Sequence, residues 1–361
     1  MSYNANDHLV QFHGARIFVN DDALSLARQR REANRDRLTR GLEAAKEPQA
    51  LEHVAQGSYA MSTMVQAESE SSDIDDGVVF SREALKGSRG GDRTANDAKE
   101  MVRAAVTSTG DFKTPPEVRG NCVRIYYADG FHVDMPVYRK HEENGTTHKE
   151  LASTGTWKAS APEDITTWFK GQVTAKSPDD TNGRQMRRMV RLLKAWSKSR
   201  TSWSMPSGFI LSVLVDEQYY SNQSWKDRDD LALLYVMRAI RNRLQSNEKV
   251  YRPVSPREEI TGDSTLGRIR KLRDELEYAI AELSKIERAD CDELMALKAL
   301  KTMFFTDFFD GRIKEIEDGD GGDGGGKGGG GNGGGGNGGG RSASVVPTSP
   351  VKKQGGSGQY A

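Results

Sequence analysis

Cysteine is almost absent: Cys122 and Cys291 are the only two in 361 residues. They lie far apart and form no Cys-x-x-Cys pair, which argues against a disulfide framework and a zinc ribbon and leaves two packed thiols in a reducing cytosol. Net charge is missing as well. Lysine and arginine total 52 and aspartate and glutamate 52, so the whole chain lacks the basic excess of a polyanion binder, and any nucleic-acid role has to be local. No run approaches the ~18–20 apolar residues that cross a bilayer, and the N-terminus lacks a basic start followed by an apolar stretch. The expectation is a soluble, cytoplasmic protein with no membrane partner. Apolar side chains make up only 35% of the sequence. Much of that shortfall sits in Gly319 to Gly340, nearly all glycine with a few Asp, Asn and Lys. Such a segment buries nothing and reads as a flexible linker with an r.m.s. reach of roughly 25 Å. The full length of 361 residues suits two or three domains of ~100–200 residues.

What is present is acid at strand spacing. In Asp73-Ile74-Asp75 an extended chain points two carboxylates to one face, about 6–7 Å apart. Asp134, inside HVDMPVY, belongs to a second apolar segment, Val123 to Tyr138, able to pair beside the first. Three hard oxygen ligands of this kind suit Mg²⁺ (or Mn²⁺). Magnesium is usually held by a few carboxylates together with substrate phosphates, so the cluster implies a polyphosphate partner. Gly57-Ser58 offers it a seat, because glycine lets a backbone approach a phosphate and a serine hydroxyl with helix-terminal amides can hydrogen-bond its oxygens. The inferred order is turn, short helix, acidic strand. Two blander readings compete. Asp75-Asp76-Gly77 also reads as an acidic turn. A calcium loop would need Asp or Asn at 77 and Gly at 78, where this chain has Gly77 and Val78. His132 shares the face of Asp134, but a lone strand histidine is usually packed or hydrogen-bonded, and it is left out of the metal site.

Around this cluster the chain reads as follows. A helix is expected from Asp22 to Lys46, with Asp21-Asp22 in capping positions and Pro48 beyond its end. Its arginines alternate with acids, as on a solvated face. Ser81 to Asp97 is a surface loop, and Ala98 to Thr107 a helix. Asp129-Gly130 marks a hairpin that would carry Asp134. Strands and helices mix up to about Lys176, and beyond Asp179 the pattern is almost wholly helical. From Asn182 to Arg200 a helix carries seven basic residues and no acid; Arg187, Arg191, Lys194 and Lys198 line one face, with Val190, Leu193 and Trp196 on an apolar side. Ile269, Leu272, Leu276, Ala279, Leu283 and Ile286 form a stripe answered by Leu294, Leu297, Leu300, Phe304 and Phe308, read as an antiparallel helix pair.

Gly-Ser, a spacer, Asp-x-Asp and a distant third Asp together resemble the signature of the polymerase-beta-like nucleotidyltransferases. The runs QGSYAMSTM, DIDDGVVF and FHVDMPVY, followed in order by WKASAPEDITTWF, RRMVRLLKAWSK, MPSGFILSVLV and YRPVSPREEIT, narrow the resemblance to bacterial cyclic-oligonucleotide synthases related to cyclic GMP-AMP synthase. These are the CD-NTases of CBASS anti-phage operons, and the likeness covers roughly Gln56 to Thr261. It implies an α/β (α+β) fold: a nucleotidyltransferase core over 1–178, a helical domain over 179–318, the linker 319–340 and a disordered tail 341–361. It implies nucleoside triphosphates, ATP among them, as substrates, two Mg²⁺ (or Mn²⁺) ions on Asp73, Asp75 and Asp134, and a cyclic di- or trinucleotide product acting on an operon effector. By the same resemblance Gln56, Gly57 and Ser58 belong to the nucleotide site, Lys194 contacts the donor triphosphate, and Ser160 and Ser207 touch ribose or base. A ubiquitin-activation-like ligase acting on the C-terminal Ala361 is a further implied partner. The rival readings are a linear or single-transfer nucleotidyltransferase and a catalytically silent scaffold.

Overall fold

Strand alternation along residues 73–81 organises the first half of the molecule. The computed structural model describes residues 3–66, 73–87, 90–181 and 183–320, and in it β2 (Asp73–Ser81) belongs to an eight-stranded mixed sheet. Antiparallel to β2 lies β1 (Glu52–Gln56). Parallel to it run β5 (His132–Met135), beside its first residues, and β6 (Val137–Glu143), beside its last. Pro136 separates those two strands; it has no N–H to give, but its carbonyl accepts from Val78 N–H at 2.8 Å and carries the ladder across the break. The sheet continues antiparallel through β4 (Val123–Tyr126) to β3 (Glu117–Val118) on the β5 side, and through β7 (Thr146–Ala152) to β8 (Trp157–Ala159) on the β6 side. The turn between β4 and β5 holds Gly130 at φ +85°, as the Asp129-Gly130 signal predicts.

One face of the sheet is apolar. Ile74, Val78, Phe80, Val123, Ile125 and Val133 pack with residues of α2 (Asp21–Ala44) and α4 (Ala95–Ser108). Gly41 allows these helices to touch, since a Cβ there would lie 2.0 Å from the Ala105 carbonyl oxygen. The cap of α2 differs from the sequence expectation. Asn20 is the N-cap, accepting from Ala23 N–H at 2.8 Å, while Asp21 and Asp22 fill the first turn, where their charge meets the positive helix end.

The remaining helices share a second core: α1 (Asn6–Phe12), α5 (Pro162–Lys176), α6 (Gln185–Lys198), α7 (Gly208–Gln218), α8 (Asp229–Ser246), α9 (Asp263–Leu283), α10 (Glu293–Phe304) and α11 (Asp310–Asp320). The α9 stripe is buried as its period predicts, and it meets α8 as well as α10. A boundary near 178 would assign α1 to the catalytic core. Its apolar side chains join the helical body instead, with Phe12 tilted against Phe304, Phe308 and Phe309 at centroid distances of 4.8, 5.4 and 5.3 Å. The reason is apolar area: α1 is too short to bury Leu9 and Phe12 by itself. No helix among the described residues is long and apolar enough to cross a membrane. The glycine-rich segment beyond residue 320 and the tail to Ala361 lie outside the described residues.

Candidate active site

Register brings the acids together. In the parallel pairing of β2 with β5, Asp73 lies beside His132 and Asp75 beside Asp134. Period-two alternation puts all four on the face opposite Ile74 and Val133. The outer strands lengthen the second row, because Gln56 of β1 is opposite Asp75 and Arg124 of β4 is opposite Asp134. Residues remote in sequence therefore form a small grid. An oxygen from Asp73, one from Asp134 and a ring nitrogen of His132 all lie within 4.8 Å of one another.

The charges of this grid are unequal. Asp134 is fully buried, and its two oxygens accept from Arg124 Nε and Nη2 at 2.7 Å each. Asp75 is buried too, yet its Oδ1 has no hydrogen-bond partner. Burial first, then the neighbouring charges of Asp73 and Asp134, hold its carboxyl well above the usual carboxylate range. Asp73 is half exposed. His132, set aside in the sequence reading, is neither hydrogen-bonded at Nε2 nor remote: that atom is buried without a partner, 3.8 Å from Asp73 Oδ2 and 3.9 Å from Asp134 Oδ2. Two orphaned polar atoms among three carboxylates are the donor set a divalent cation would complete, so the residues fit a metal centre.

Gly57 abuts the acids directly. It opens α3 (Gly57–Ala60), a single turn, at φ +65°, and a Cβ there would fall 1.9 Å from Asp75 Oδ2. Just before it, Gln56 is buried and its Oε1 accepts from the Tyr138 hydroxyl at 2.9 Å. The Ser58 carbonyl accepts from Thr63 N–H at 2.8 Å, folding the following loop back on the turn. Helix α6 then clamps that loop: Arg191 donates to the Ser62 carbonyl through Nη2 at 2.6 Å, and Lys194 Nζ donates to Thr63 Oγ1 at 2.8 Å. Burial, helped by Lys198 and Arg191 and opposed by Asp73, lowers the Lys194 pKa to about 7. Ser207 is the N-cap of α7, accepting from Ile210 N–H at 3.4 Å, and Ser160 is buried just ahead of α5.

Some neighbours of the site carry no signal in the sequence. On the basic helix α6, Arg188 and Arg191 are buried along with Lys194. Arg188 is neutralised by Asp179 and Asp229, at 2.6 and 2.5 Å. Asp76 is no turn residue, because β2 runs straight through it. Gly77 makes room for the Tyr138 ring, which a Cβ would approach to 2.8 Å. Asp76 faces α2 and is gripped by Arg35 at 2.7 and 2.5 Å, tying that helix to the acidic strand. A cavity of ≈ 820 Å³ is lined by His13, Phe18, Arg28, Tyr59, Lys170 and Arg191 among others; none of the three acids lines it.

Comparison with known proteins follows the same geometry. Residues 51–138, from β1 through the third acid, match the family described as cyclic GMP-AMP synthase DncV-like, nucleotidyltransferase domain. That stretch is similar to a DncV-like nucleotidyltransferase domain. Solved structures share the wider fold. A mutant of the Vibrio cholerae di-nucleotide cyclase DncV, in complex with ligands that include ATP and GTP, superposes with a TM-score of 0.67 at 16% identity, covering 88% of this chain and 98% of that one. The CD-NTase CdnG of Bradyrhizobium diazoefficiens, bound to GTP, gives 0.65 at 15% identity, with 87% and 100% covered. CdnC of E. coli MS115-1, with ATP, gives 0.61 at 14%, with 85% and 99% covered. The acid grid therefore lies within the residues that match this family, and the helical body after it is part of the fold shared with these structures.

Proposed function

We propose that this protein joins nucleoside triphosphates into a cyclic di- or trinucleotide second messenger, releasing pyrophosphate at each transfer. The observation that carries this reading is the convergence of Asp73, Asp75 and Asp134 beside Gly57. Two divalent ions, Mg²⁺ or Mn²⁺, held by these three acids would supply positive charge at the attacking and leaving oxygens. The chain's own groups do the rest. Gly57 leaves the backbone bare where phosphates approach, and Ser58 adds a hydroxyl beside it. Lys194 reaches the loop behind the turn and, once protonated against a triphosphate, balances charge on the departing pyrophosphate. Gln56, Ser160 and Ser207 complete the nucleotide contacts. No protein nucleophile is required, because in-line displacement at phosphorus needs positioning and charge rather than a covalent intermediate.

Ring closure by a second transfer is supported by the match to a cyclic GMP-AMP synthase DncV-like domain; a place in CBASS antiviral defence, with an effector that reads the product, is supported only by the sequence resemblance to CD-NTases. A ubiquitin-activation-like ligase acting at Ala361 is part of the same reading. The test is incubation of the purified chain with radiolabelled ATP, GTP, CTP and UTP, singly and together, with product mass and phosphatase resistance measured. Phosphatase-resistant product, absent with the Asp73→Asn, Asp75→Asn double variant, is expected. Phosphatase-sensitive product would favour linear transfer, and no pyrophosphate with either ion would favour a silent scaffold.

A further inference from the structure

We propose that His132 Nε2 is a ligand of the metal centre, alongside Asp73 and Asp134, and that this nitrogen makes the site select Mn²⁺ over Mg²⁺. The inference deepens the metal-centre reading above and rests on it. His132 is 7% exposed, and Nε2 is buried with no hydrogen-bond partner. Strand register fixes the residue beside Asp73 and two positions before Asp134 on the same face, so the ring faces the acids by construction. Its Nε2 faces carboxylate oxygens of Asp73 and Asp134 at 3.8 and 3.9 Å. Those separations exceed a hydrogen bond. They do suit two donors on one ion, because ligands each ~2.1 Å from a shared cation stand at most about 4.2 Å apart.

The choice of metal follows from donor chemistry. Mg²⁺ takes oxygen ligands and gives up its waters reluctantly, whereas imidazole suits first-row transition ions. A mixed set of one imidazole and two carboxylates favours Mn²⁺ and stronger nitrogen binders, of which Mn²⁺ also tolerates the carboxylates and substrate phosphates. Arg124, already on both oxygens of Asp134, faces the same spot and competes with any ion there.

The test uses the full chain without nucleotide and Mn²⁺ alone as probe. Pulsed EPR of bound Mn²⁺ should show ¹⁴N modulation in the wild type and none in His132→Gln. Continuous-wave titration should show Mn²⁺ affinity lowered at least tenfold in His132→Gln, with Mg²⁺ displacing Mn²⁺ more readily than from the wild type. His132→Asn guards against misfolding, and thermal unfolding of both variants in chelator is the control. Wild-type Mn²⁺ without ¹⁴N modulation, or equal Mn²⁺ affinity in the well-folded variants, overturns the proposal. Pyrophosphate release with Mg²⁺ separates the two readings: if it persists while the nitrogen signal is missing, the ligand assignment falls and nucleotidyl transfer stands.

Discussion

Arg124 holds Asp134 by both carboxylate oxygens, Nε on Oδ1 and Nη2 on Oδ2, each at 2.7 Å. The third acid of the cluster is thus neutralised by the protein itself. Removing one partner of such a buried pair leaves an uncompensated charge. Arg124→Met should lower stability by about 3 kcal/mol in chelator, measured by urea unfolding, because Asp134 is fully buried. Millimolar Mg²⁺ should restore part of the loss by taking over as counter-charge. Arg124→Met combined with Asp134→Asn should recover most of it without metal. A single variant as stable as the wild type in chelator would show that the pair does not hold the strand.

Gly57 has no tolerance for a side chain. Its φ of +65° strains any L-residue by roughly 1–2 kcal/mol, and its Cβ position coincides with Asp75 Oδ2. Gly57→Ala must move that carboxylate, and displacing a catalytic group by about 1 Å can cost on the order of 100-fold in rate. The expected result is a loss of pyrophosphate release of at least that size, with unfolding free energy lowered only by about the strain. Near-normal activity would mean that Asp75 has room to retreat and that the glycine serves the fold alone.

The three acids are readable in the sequence because strand period alone places 73 and 75 on one face, and the Asp129-Gly130 turn sets the hairpin that carries 134. Other members of the site depend on facts that no local pattern contains. His132 obeys the same period, but only the register that sets it beside Asp73 distinguishes it from an ordinary strand histidine. Arg124 faces Asp134 because of where β4 aligns on β5. The α6 charges repeat as on a solvated face. Arg188, Arg191 and Lys194 are nevertheless buried, partnered by Asp179, Asp229 and the carbonyls of residues 62 and 63 from elsewhere in the chain. Likewise, the apolar residues of α1 announce burial without saying which core receives them.

Asp75 makes the metal-free protein less stable as pH rises. Its pKa is raised in the folded state, by burial and then by Asp73 and Asp134, so the unfolded chain releases this proton first. Folded stability therefore falls as pH climbs above the unfolded carboxylate value and levels off once Asp75 itself ionises. Asp75→Asn should remove the slope. In chelator, the variant should be more stable than the wild type at neutral pH, with the advantage vanishing in acid, while pyrophosphate release is lost. Thermal unfolding of both proteins across the acid-to-neutral range checks this, and parallel curves would refute it.

Lys194 reverses that logic at the other end of the site. With its pKa lowered to about 7 against an ordinary lysine value of about 10.4, the unfolded chain keeps a proton that the folded chain gives up. Stability from this group is therefore full above the ordinary value and is lost as pH falls toward neutrality. A triphosphate arriving nearby supplies the missing negative charge and should draw the proton back. At mildly alkaline pH, nucleotide binding by the wild type should be accompanied by proton uptake, seen calorimetrically as a binding enthalpy that changes with the ionisation enthalpy of the buffer. Lys194→Met should bind more weakly and show less uptake. Equal uptake in the two proteins would mean that the lysine is committed to Thr63 and the α3 loop, and that another cation meets the triphosphate.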